Sequence, residues 1–335
     1  MKKQLIKTLA LCAMMASTGI FPTAQPGGGF GGGFGGGFGG FGGFGGFQMP
    51  QVNLETSESF KDINYAGDDQ VYHTLDIYLP KEVKDKYPVV VHIYGSAWFM
   101  NSGKGMADLG TIVNAYLKAG YAVVTPNHRS SGDAKFPAQI QDIKAVIRFI
   151  RGNADKYKFD KKFVAISGFS SGGHLASLAA TTGNVKQTKV GNLEVDLEGK
   201  IGNYLNESSA VNAACDWSGP IDMFKMNCDE PRKWGGTPEE ALVGHDYADE
   251  YADAFRSVSP VTYIDKDDAP IIVTHGDADN VVPCCQGKEL HAELLKVGVK
   301  TELNIVAGGG HGMNMYAEEN LQKAVNFLNS VKDKK

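Results

Sequence analysis

The sequence predicts an α/β fold in which one doubly wound, mostly parallel sheet of about eight strands carries helices on both faces. Two observations and one rule of sheet topology lead to this prediction. From about Gln48 onward, short apolar runs alternate with segments whose apolar residues recur at helical spacing. Strands separated by helices pair in parallel through right-handed crossovers, so the helices cover both faces of the sheet. Hydrophobic residues make up 42% and charged residues 21% of the chain, as in ordinary globular domains.

Three strands and two helices are predicted in the first part of the domain. Residues 75–79 alternate polar and apolar side chains, and residues 89–94 form a short apolar run, so both predict strands. We expect these two strands to form an antiparallel edge of the sheet. A third strand follows at 122–126, and the helices lie at 108–119 and after Pro137.

The second part of the domain continues the alternation of strands and helices. The strands are expected at 163–167, 211–217, 271–275 and 303–306, and the helices at 171–180, 287–297 and 317–332. Two long polar segments, 183–209 and 220–262, interrupt this alternation. Because long loops in compact domains are commonly functional, we expect both segments to lie over the functional site.

The N-terminal region contains two segments outside this domain. Basic residues followed by a short apolar stretch are typical of a secretory signal peptide, here over residues 1–24. Residues 27–47 are glycine and phenylalanine only, so 25–47 is expected to be a flexible linker. The globular domain then spans 48–335. We expect the protein to be exported to the periplasm, the cell surface or the medium.

Charge and hydropathy argue against nucleic-acid binding and against a transmembrane helix. The net charge is -5 and the chain has no basic stripe, so we expect no binding to nucleic acid. No segment after the signal reaches the roughly 18 continuous apolar residues that a transmembrane helix needs. The phenylalanine rings of the glycine-rich linker leave two interpretations open, a plain spacer or weak attachment points to the cell envelope.

Four cysteines follow the signal peptide: Cys215, Cys228, Cys284 and Cys285. An exported protein can keep a disulfide, but a bridge between two adjacent cysteines would be strained, so the pairing stays open. No His or Cys residues repeat at the close spacing of zinc sites. We therefore expect neither a metal site nor a cofactor.

The pattern Gly168-Phe169-Ser170-Ser171-Gly172 lies between a predicted strand and a predicted helix. In such a G-x-S-x-G elbow, a sharp turn exposes the middle serine, and the glycines avoid collisions within the turn. A serine hydroxyl is a weak nucleophile near neutral pH, so it needs a base and a site that stabilises the oxyanion. We predict Ser170 as the nucleophile of an acyl transfer and the N–H of Ser171 as an oxyanion donor.

The acid and the base of this chemistry are expected in the chain order Ser, Asp, His. Asp279 follows the strand at 271–275, at the edge where parallel sheets place their sites, and we predict it as the acid. His311 lies in a glycine-rich loop after the last strand, and we predict it as the base. The alternatives left open for the acid are Asp277, Asp216 and Asp222. Structural roles are expected for His92, His174 and His275.

The loop after the strand at 89–94 supplies the second oxyanion donor in this layout. Ser96 and Ala97, which follow Gly95, are small and let the backbone approach a substrate oxygen, so one of them is expected to donate its N–H. The aromatic residues around this loop either wall a pocket for an acyl or sugar group or pack on the edge of the sheet. They are Tyr94, Trp98 and Phe99.

Taken together, these segments resemble bacterial α/β-hydrolases of the feruloyl and acetyl-xylan esterase type, relatives of the hormone-sensitive-lipase-like carboxylesterases. The resemblance covers roughly residues 60–330 and is carried by Leu75-Asp76-Ile77-Tyr78-Leu79-Pro80, Pro126-Asn127-His128-Arg129, 168–176, 275–283 and Gly310-His311-Gly312. It implies the α/β-hydrolase fold, a triad of Ser170, Asp279 and His311, and plant cell-wall acyl groups as substrates. Where this family reads His-Gly-Gly-Gly-Trp, the chain reads Tyr94-Gly95-Ser96-Ala97-Trp98. The added β-carbons favour a small acyl group such as acetyl over feruloyl.

Three functions are therefore compared. The first is a serine carboxylic-ester hydrolase that removes acetyl or feruloyl groups from a polysaccharide such as xylan, with a small ester or an acylated oligosaccharide as substrate. The second is a serine exopeptidase of the prolyl-oligopeptidase type, but such enzymes usually carry a large N-terminal domain. The third is an idle hydrolase scaffold that acts as an envelope binding module. Because the Ser, Asp, His set is complete, the esterase is the prediction.

Overall fold

The computed structural model describes residues 52–106, 108–228, 236–246, 248–312 and 314–333. The predicted signal peptide and the glycine-rich linker lie outside these ranges. Within them, no helix has both the length and the apolar character that crossing a membrane requires.

An eight-stranded sheet forms the centre of the domain. In chain order the strands are β1 (Thr56–Asn64), β2 (Thr74–Pro80), β3 (Tyr87–Ile93), β4 (Ala122–Pro126), β5 (Phe159–Phe169), β6 (Gln187–Val190), β7 (Leu193–Asp196), β8 (Ala214–Trp217), β9 (Ile271–Gly276) and β10 (Thr301–Val306). Strands β6 and β7 form a separate hairpin, and the others make the large sheet in the order β1-β2-β4-β3-β5-β8-β9-β10. All neighbours from β4 to β10 in this order pair in parallel.

Helices cover both faces of this sheet. They are α1 (Asn114–Lys118, preceded by a π-helical turn at Leu109–Val113), α2 (Ala138–Gly152), α3 (Ser171–Thr181), α4 (Pro238–Val243), α5 (Ala252–Ser257), α6 (Cys285–Lys296) and α7 (Glu318–Lys332). Helices α1 and α7 share one hydrophobic core, and α2, α3 and α6 share the other, on the opposite face. The predicted doubly wound α/β fold is therefore confirmed.

The central strands are buried on both faces, and their side chains alternate between the two cores. In β3, Val89 and Val91 belong to the core of α2 and α3, whereas Val90 belongs to the core of α1 and α7. In β5, Ile166 and Ala165 divide in the same way. This is why these strands appear in the sequence as short, nearly continuous apolar runs.

The antiparallel edge of the sheet differs from the prediction. Strand β1, which was not predicted, pairs antiparallel with β2, and β2 pairs antiparallel with β4. The strand predicted at 89–94 is β3, and it lies inside the sheet in parallel with β4 and β5. The edge strand escaped prediction because β1 is largely polar and exposed, as edge strands commonly are.

The two long segments that interrupt the alternation lie in different places. Residues 196–209 run along α2, where Glu198 pairs with Arg148 and the carbonyl of Asp196 accepts a bond from the side chain of Gln141. These residues cover a helix, so the prediction that the whole of 183–209 lies over the site is wrong. The segment 220–262 contacts α3, because the carbonyl of Val258 lies 2.7 Å from Nε2 of His174.

One disulfide joins the second of these segments to the start of α6. It links Cys228 to Cys285, while Cys284 and the buried Cys215 are free thiols. The two bridged residues are 57 positions apart. Because the bridge closes a long loop, it restricts the unfolded chain strongly.

Removing this disulfide is expected to destabilise the protein without changing the triad. A loop of this length corresponds to about 4 kcal/mol of chain entropy, and measured losses are commonly about 2–4 kcal/mol. Urea unfolding of the double variant Cys228→Ala/Cys285→Ala measures the change. Cys284→Ala keeps the bridge and is the matched control, so an equal loss in both proteins would contradict the prediction.

Candidate active site

The candidate site lies where the direction of strand addition reverses. From β3 the chain continues to β4 on one side, whereas β5 lies on the other side of β3. Such a reversal opens a crevice at the carboxyl ends of the strands, where parallel sheets bind ligands. The loops after β3 and β5 meet there, since a β-carbon added to Gly95 would lie 2.9 Å from Cβ of Ser170.

Ser170 occupies the sharp turn between β5 and α3. Its φ of 56° and ψ of -121° are strained for any residue with a β-carbon. The turn is fixed by a hydrogen bond from its N–H to the carbonyl of Trp217, at 2.8 Å. Glycine is required on both sides, because a β-carbon on Gly168 would lie 2.1 Å from the carbonyl oxygen of Gly172. The sequence thus holds the serine hydroxyl at the apex of a nucleophile elbow.

Ser170, His311 and Asp279 form one hydrogen-bonded chain. Oγ of Ser170 lies 2.9 Å from Nε2 of His311, and Nδ1 of His311 lies 2.8 Å from Oδ2 of Asp279. A carboxylate accepts a hydrogen bond from Nδ1–H, which leaves Nε2 to receive the serine proton. The side chains of His311 and Asp279 are 3% and 0% exposed, so water competes little for these bonds.

Asp279 is held in its ionised form. Burial raises the pKa of this carboxyl, but the hydrogen bond from His311 and the N–H groups of Val281 and Val282 outweigh burial. The pKa of Asp279 therefore lies below its ordinary value. A carboxylate that stays charged through the neutral range can stabilise an imidazolium at His311 throughout that range.

The other candidate acids are bonded elsewhere. Asp277 accepts the N–H of Gly308 at 2.7 Å, and the buried Asp216 accepts the N–H of Gly219 at 2.7 Å. Asp222 accepts N–H groups within its own turn. None of the three is hydrogen-bonded to a histidine of the described ranges, so Asp279 is the carboxylate that the structure brings to His311.

Two further histidines are buried and structural, as expected. Nδ1 of His92 lies 3.1 Å from Oγ of Ser167, and Nε2 of His275 lies 2.9 Å from the carbonyl of Val282. In the part of the chain that the structure describes, His, Cys, Asp and Glu side chains do not gather into a group that could hold a metal ion.

His174 joins three parts of the domain beneath the elbow. Its Nε2 lies 2.7 Å from the carbonyl of Val258, and its Nδ1 accepts the indole N–H of Trp98 at 3.2 Å. A carbonyl can only accept, so Nε2 carries the hydrogen and the ring is neutral. Burial lowers the pKa of His174 to about 4.

This depressed pKa predicts a loss of stability in acid. Between pH 6.5 and pH 4 the unfolded chain takes up a proton at His174 that the folded protein does not, so the free energy of unfolding falls as the pH falls. The full shift corresponds to about 3 kcal/mol, and the effect is absent above the unfolded pKa. Urea unfolding of wild type and His174→Gln over this range measures it. The same pH slope in both proteins would contradict the prediction.

The two predicted oxyanion donors of the loop after β3 differ in whether their N–H groups are already hydrogen-bonded. The N–H of Ser96 donates to Oγ of Ser171 at 2.8 Å. Ala97 has a φ of 50°, and no acceptor within the described ranges is bonded to its N–H. The N–H of Ser171, at the start of α3, also has no acceptor within the helix. Ala97 and Ser171 thus each have an N–H without an acceptor in the described ranges, one in the loop after β3 and one at the start of α3.

Of the two interpretations of the aromatic residues around this loop, a pocket wall or packing on the sheet, burial favours packing for two of them. Tyr94 and Trp98 are each 2% exposed. The Tyr94 ring stacks on His128 with centroids 5.0 Å apart, and the Trp98 ring packs edge-on against His174 at 5.1 Å. The indole N–H of Trp98 donates to His174, so the ring points into the domain. Phe99 alone of the three stays partly exposed.

Two aromatic residues beside the base were missed by the sequence analysis. The ring of Phe169 lies 4.8 Å from the ring of His311, and Tyr316 packs against Phe169 at 6.1 Å. Both are partly exposed. Phe169 could have been found, because it occupies the variable position of the elbow pattern, whereas no sequence pattern marks Tyr316.

Solved structures of known proteins share this fold over most of the chain. A truncated form of a carbohydrate esterase from gut microbiota has a TM-score of 0.80 at 46% sequence identity, covering 83% of this chain and 98% of that one. A bifunctional GH43-CE from Bacteroides eggerthii has a TM-score of 0.78 at 50% identity, covering 81% of this chain and 38% of that one.

Curated proteins are more distant in sequence. The esterase LipC of Mycobacterium tuberculosis is 28% identical over 74% of this chain and 59% of its own length. The chain spans about half the length of the curated relatives it matches. The BD-FAE family model matches residues 75–294, well over half of the chain, including Ser170 and Asp279. The chain therefore belongs to the BD-FAE family and has the fold of the α/β-hydrolase esterases.

Proposed function

We propose that this protein is a serine carboxylesterase that works through an acyl-enzyme. The observation that carries the proposal is the hydrogen-bonded chain from Ser170 through His311 to Asp279. As Oγ of Ser170 attacks the ester carbonyl, Nε2 of His311 takes the hydroxyl proton, and the oxyanion meets the N–H groups of Ser171 and Ala97.

The same residues complete the reaction. The imidazolium of His311, stabilised by Asp279, gives its proton to the departing alcohol, and the acyl group stays on Ser170. Water then attacks the acyl-enzyme while Nε2 of His311 takes a proton from it. As the acid is released, His311 passes this proton to Oγ of Ser170. Both steps pass through an oxyanion at the same place.

We propose that the substrate is an acylated carbohydrate, a plant cell-wall polysaccharide such as xylan. We propose that the enzyme removes acetyl groups from it in preference to feruloyl groups. The two solved structures that are 46% and 50% identical to the chain are described as a carbohydrate esterase and a bifunctional GH43-CE, which supports the carbohydrate. Ser96 and Ala97 add β-carbons to the loop beside the nucleophile at positions where the related family has glycine, which supports a small acyl group.

A panel of esters tests both parts of the proposal. We expect turnover of p-nitrophenyl acetate, release of acetate from acetylated xylo-oligosaccharides and little ferulate from feruloylated ones. A fluorophosphonate should label one serine, Ser170, as mass spectrometry of the peptides would reveal. Strong ferulate release with little acetate would reverse the acyl assignment. Hydrolysis of simple esters alone would reject the carbohydrate.

We also propose that the protein is exported. The pattern of residues 1–24 supports this, and so does the Cys228–Cys285 disulfide, because disulfides persist in oxidising compartments. Cell fractionation with N-terminal sequencing tests it, and a cytosolic protein that keeps residues 1–24 would reject it. Deleting residues 27–47 tests the weaker proposal of envelope attachment, which predicts a shift of the protein into the soluble fraction.

A further inference from the structure

Two hydroxyl groups beside the nucleophile have unused capacity to donate. Oγ of Ser171 accepts the N–H of Ser96 at 2.8 Å, and no acceptor in the described ranges takes its own O–H. Oγ of Ser96 is buried and has no hydrogen-bond partner among those residues. Ser171 is 1% exposed and Ser96 is 9% exposed, so water satisfies neither group well. Buried polar groups are almost always bonded, so this corner of the site lacks an acceptor.

Both hydroxyls lie on the segments that flank the nucleophile. Ser171 follows the nucleophile directly, and the loop that carries Ser96 touches Ser170 through Gly95. The bond from Ser96 to Ser171 therefore joins the two segments that supply the oxyanion donors. A negatively charged oxygen bound between these two segments would give the hydroxyl of Ser171 the acceptor that it lacks.

We propose that the side-chain hydroxyl of Ser171 is a further oxyanion donor, oriented by the backbone N–H of Ser96. The inference rests on the proposed esterase function. The N–H of Ser96 occupies a lone pair of Oγ and polarises the hydroxyl, which strengthens it as a donor. As the tetrahedral intermediate forms, this hydroxyl donates to its oxygen beside the N–H groups of Ser171 and Ala97. It transfers no proton and returns unchanged when the intermediate collapses.

The test compares Ser171→Ala with Ser171→Thr, which keeps a hydroxyl. Because the donor acts on the intermediate more than on the bound ester, Ser171→Ala should lower kcat for p-nitrophenyl acetate about 10- to 100-fold, with KM within about threefold. The affinity for a trifluoromethyl ketone, whose adduct carries an oxyanion, should fall by a similar factor. Ser171→Thr should recover most of both. Ser59→Ala, at an exposed serine of β1, controls for the loss of a hydroxyl elsewhere.

Three outcomes would overturn the inference. An equal or higher kcat in Ser171→Ala would show that the hydroxyl only fills space. A Ser171→Thr protein with the wild-type unfolding temperature but the rate of the alanine variant would show that the hydroxyl is not what matters. A rise in KM with kcat unchanged would place the effect in substrate binding. Wild-type protein that hydrolyses no ester would instead overturn the proposed function, so the two failures are distinguishable.

Discussion

Replacing Ser170 by alanine is expected to lower kcat toward p-nitrophenyl acetate by about 10⁵-fold or more, since loss of a nucleophilic serine in comparable triads costs about 10⁶-fold. Without Oγ no acyl-enzyme forms, and only the oxyanion donors and substrate binding remain. The fold should survive, because alanine meets the same strain as serine at a φ of 56°. Initial rates and the unfolding temperature of both proteins measure the two effects.

A small effect of this substitution would contradict the mechanism. A residual rate within about 100-fold of wild type would mean that another group attacks the ester. Peptide mapping after fluorophosphonate treatment separates the cases. Label on Ser171 in the Ser170→Ala protein would show that Ser171 is the nucleophile. The absence of label together with lost activity supports Ser170.

Replacing Asp279 by asparagine is expected to lower kcat by about 10⁴-fold. The geometry around the side chain should be kept, because an amide oxygen can still accept the N–H groups of Val281 and Val282. The amide nitrogen then faces Nδ1 of His311 and donates to it, so the hydrogen of the ring moves to Nε2. In that tautomer Nε2 cannot accept the proton of Ser170, and the base is lost.

Asp277→Asn is the matched control for this variant. Asp277 lies two residues earlier in the same loop, is exposed, and bonds the N–H of Gly308 through an oxygen that asparagine retains. Its kcat should stay within about threefold of wild type, as for most surface changes. Comparable losses in the two variants would mean that the charge of the loop, and not the bond to His311, carries the effect.

The sequence predicted the parts of the structure that depend on local sterics and periodicity. The elbow around Ser170 is recognisable because Gly168 and Gly172 have no room for a β-carbon. Strand β4 was placed at its observed bounds because it is buried on both faces and follows a helix. Asp279 and His311 could be predicted as the acid and the base because each follows the end of a parallel strand.

The remaining features depend on tertiary approach, which leaves no local pattern. The inward direction of Trp98 follows from a left-handed turn at Ala97 and Trp98 together with the acceptor on His174. The pairing of Cys228 with Cys285 depends on how the segment after β8 returns to α6. The course of residues 196–209 along α2 depends on buried charge pairs that only the folded chain brings together.

The contacts from Trp98 through His174 to Val258 bear on which sequence changes related proteins can tolerate. This chain of contacts links the loop after β3, which carries Ala97 and Trp98, to the segment 220–262, yet at Val258 it uses only the backbone carbonyl. A carbonyl is present whatever the side chain, so substitutions at exposed positions of that segment leave this bond in place, whereas buried side chains such as Leu242 and Val258 help to fix the path of the backbone. Natural variation and deliberate grafting can therefore change the exposed positions of the segment while the catalytic apparatus is inherited intact, provided that the path of the backbone at residue 258 is kept.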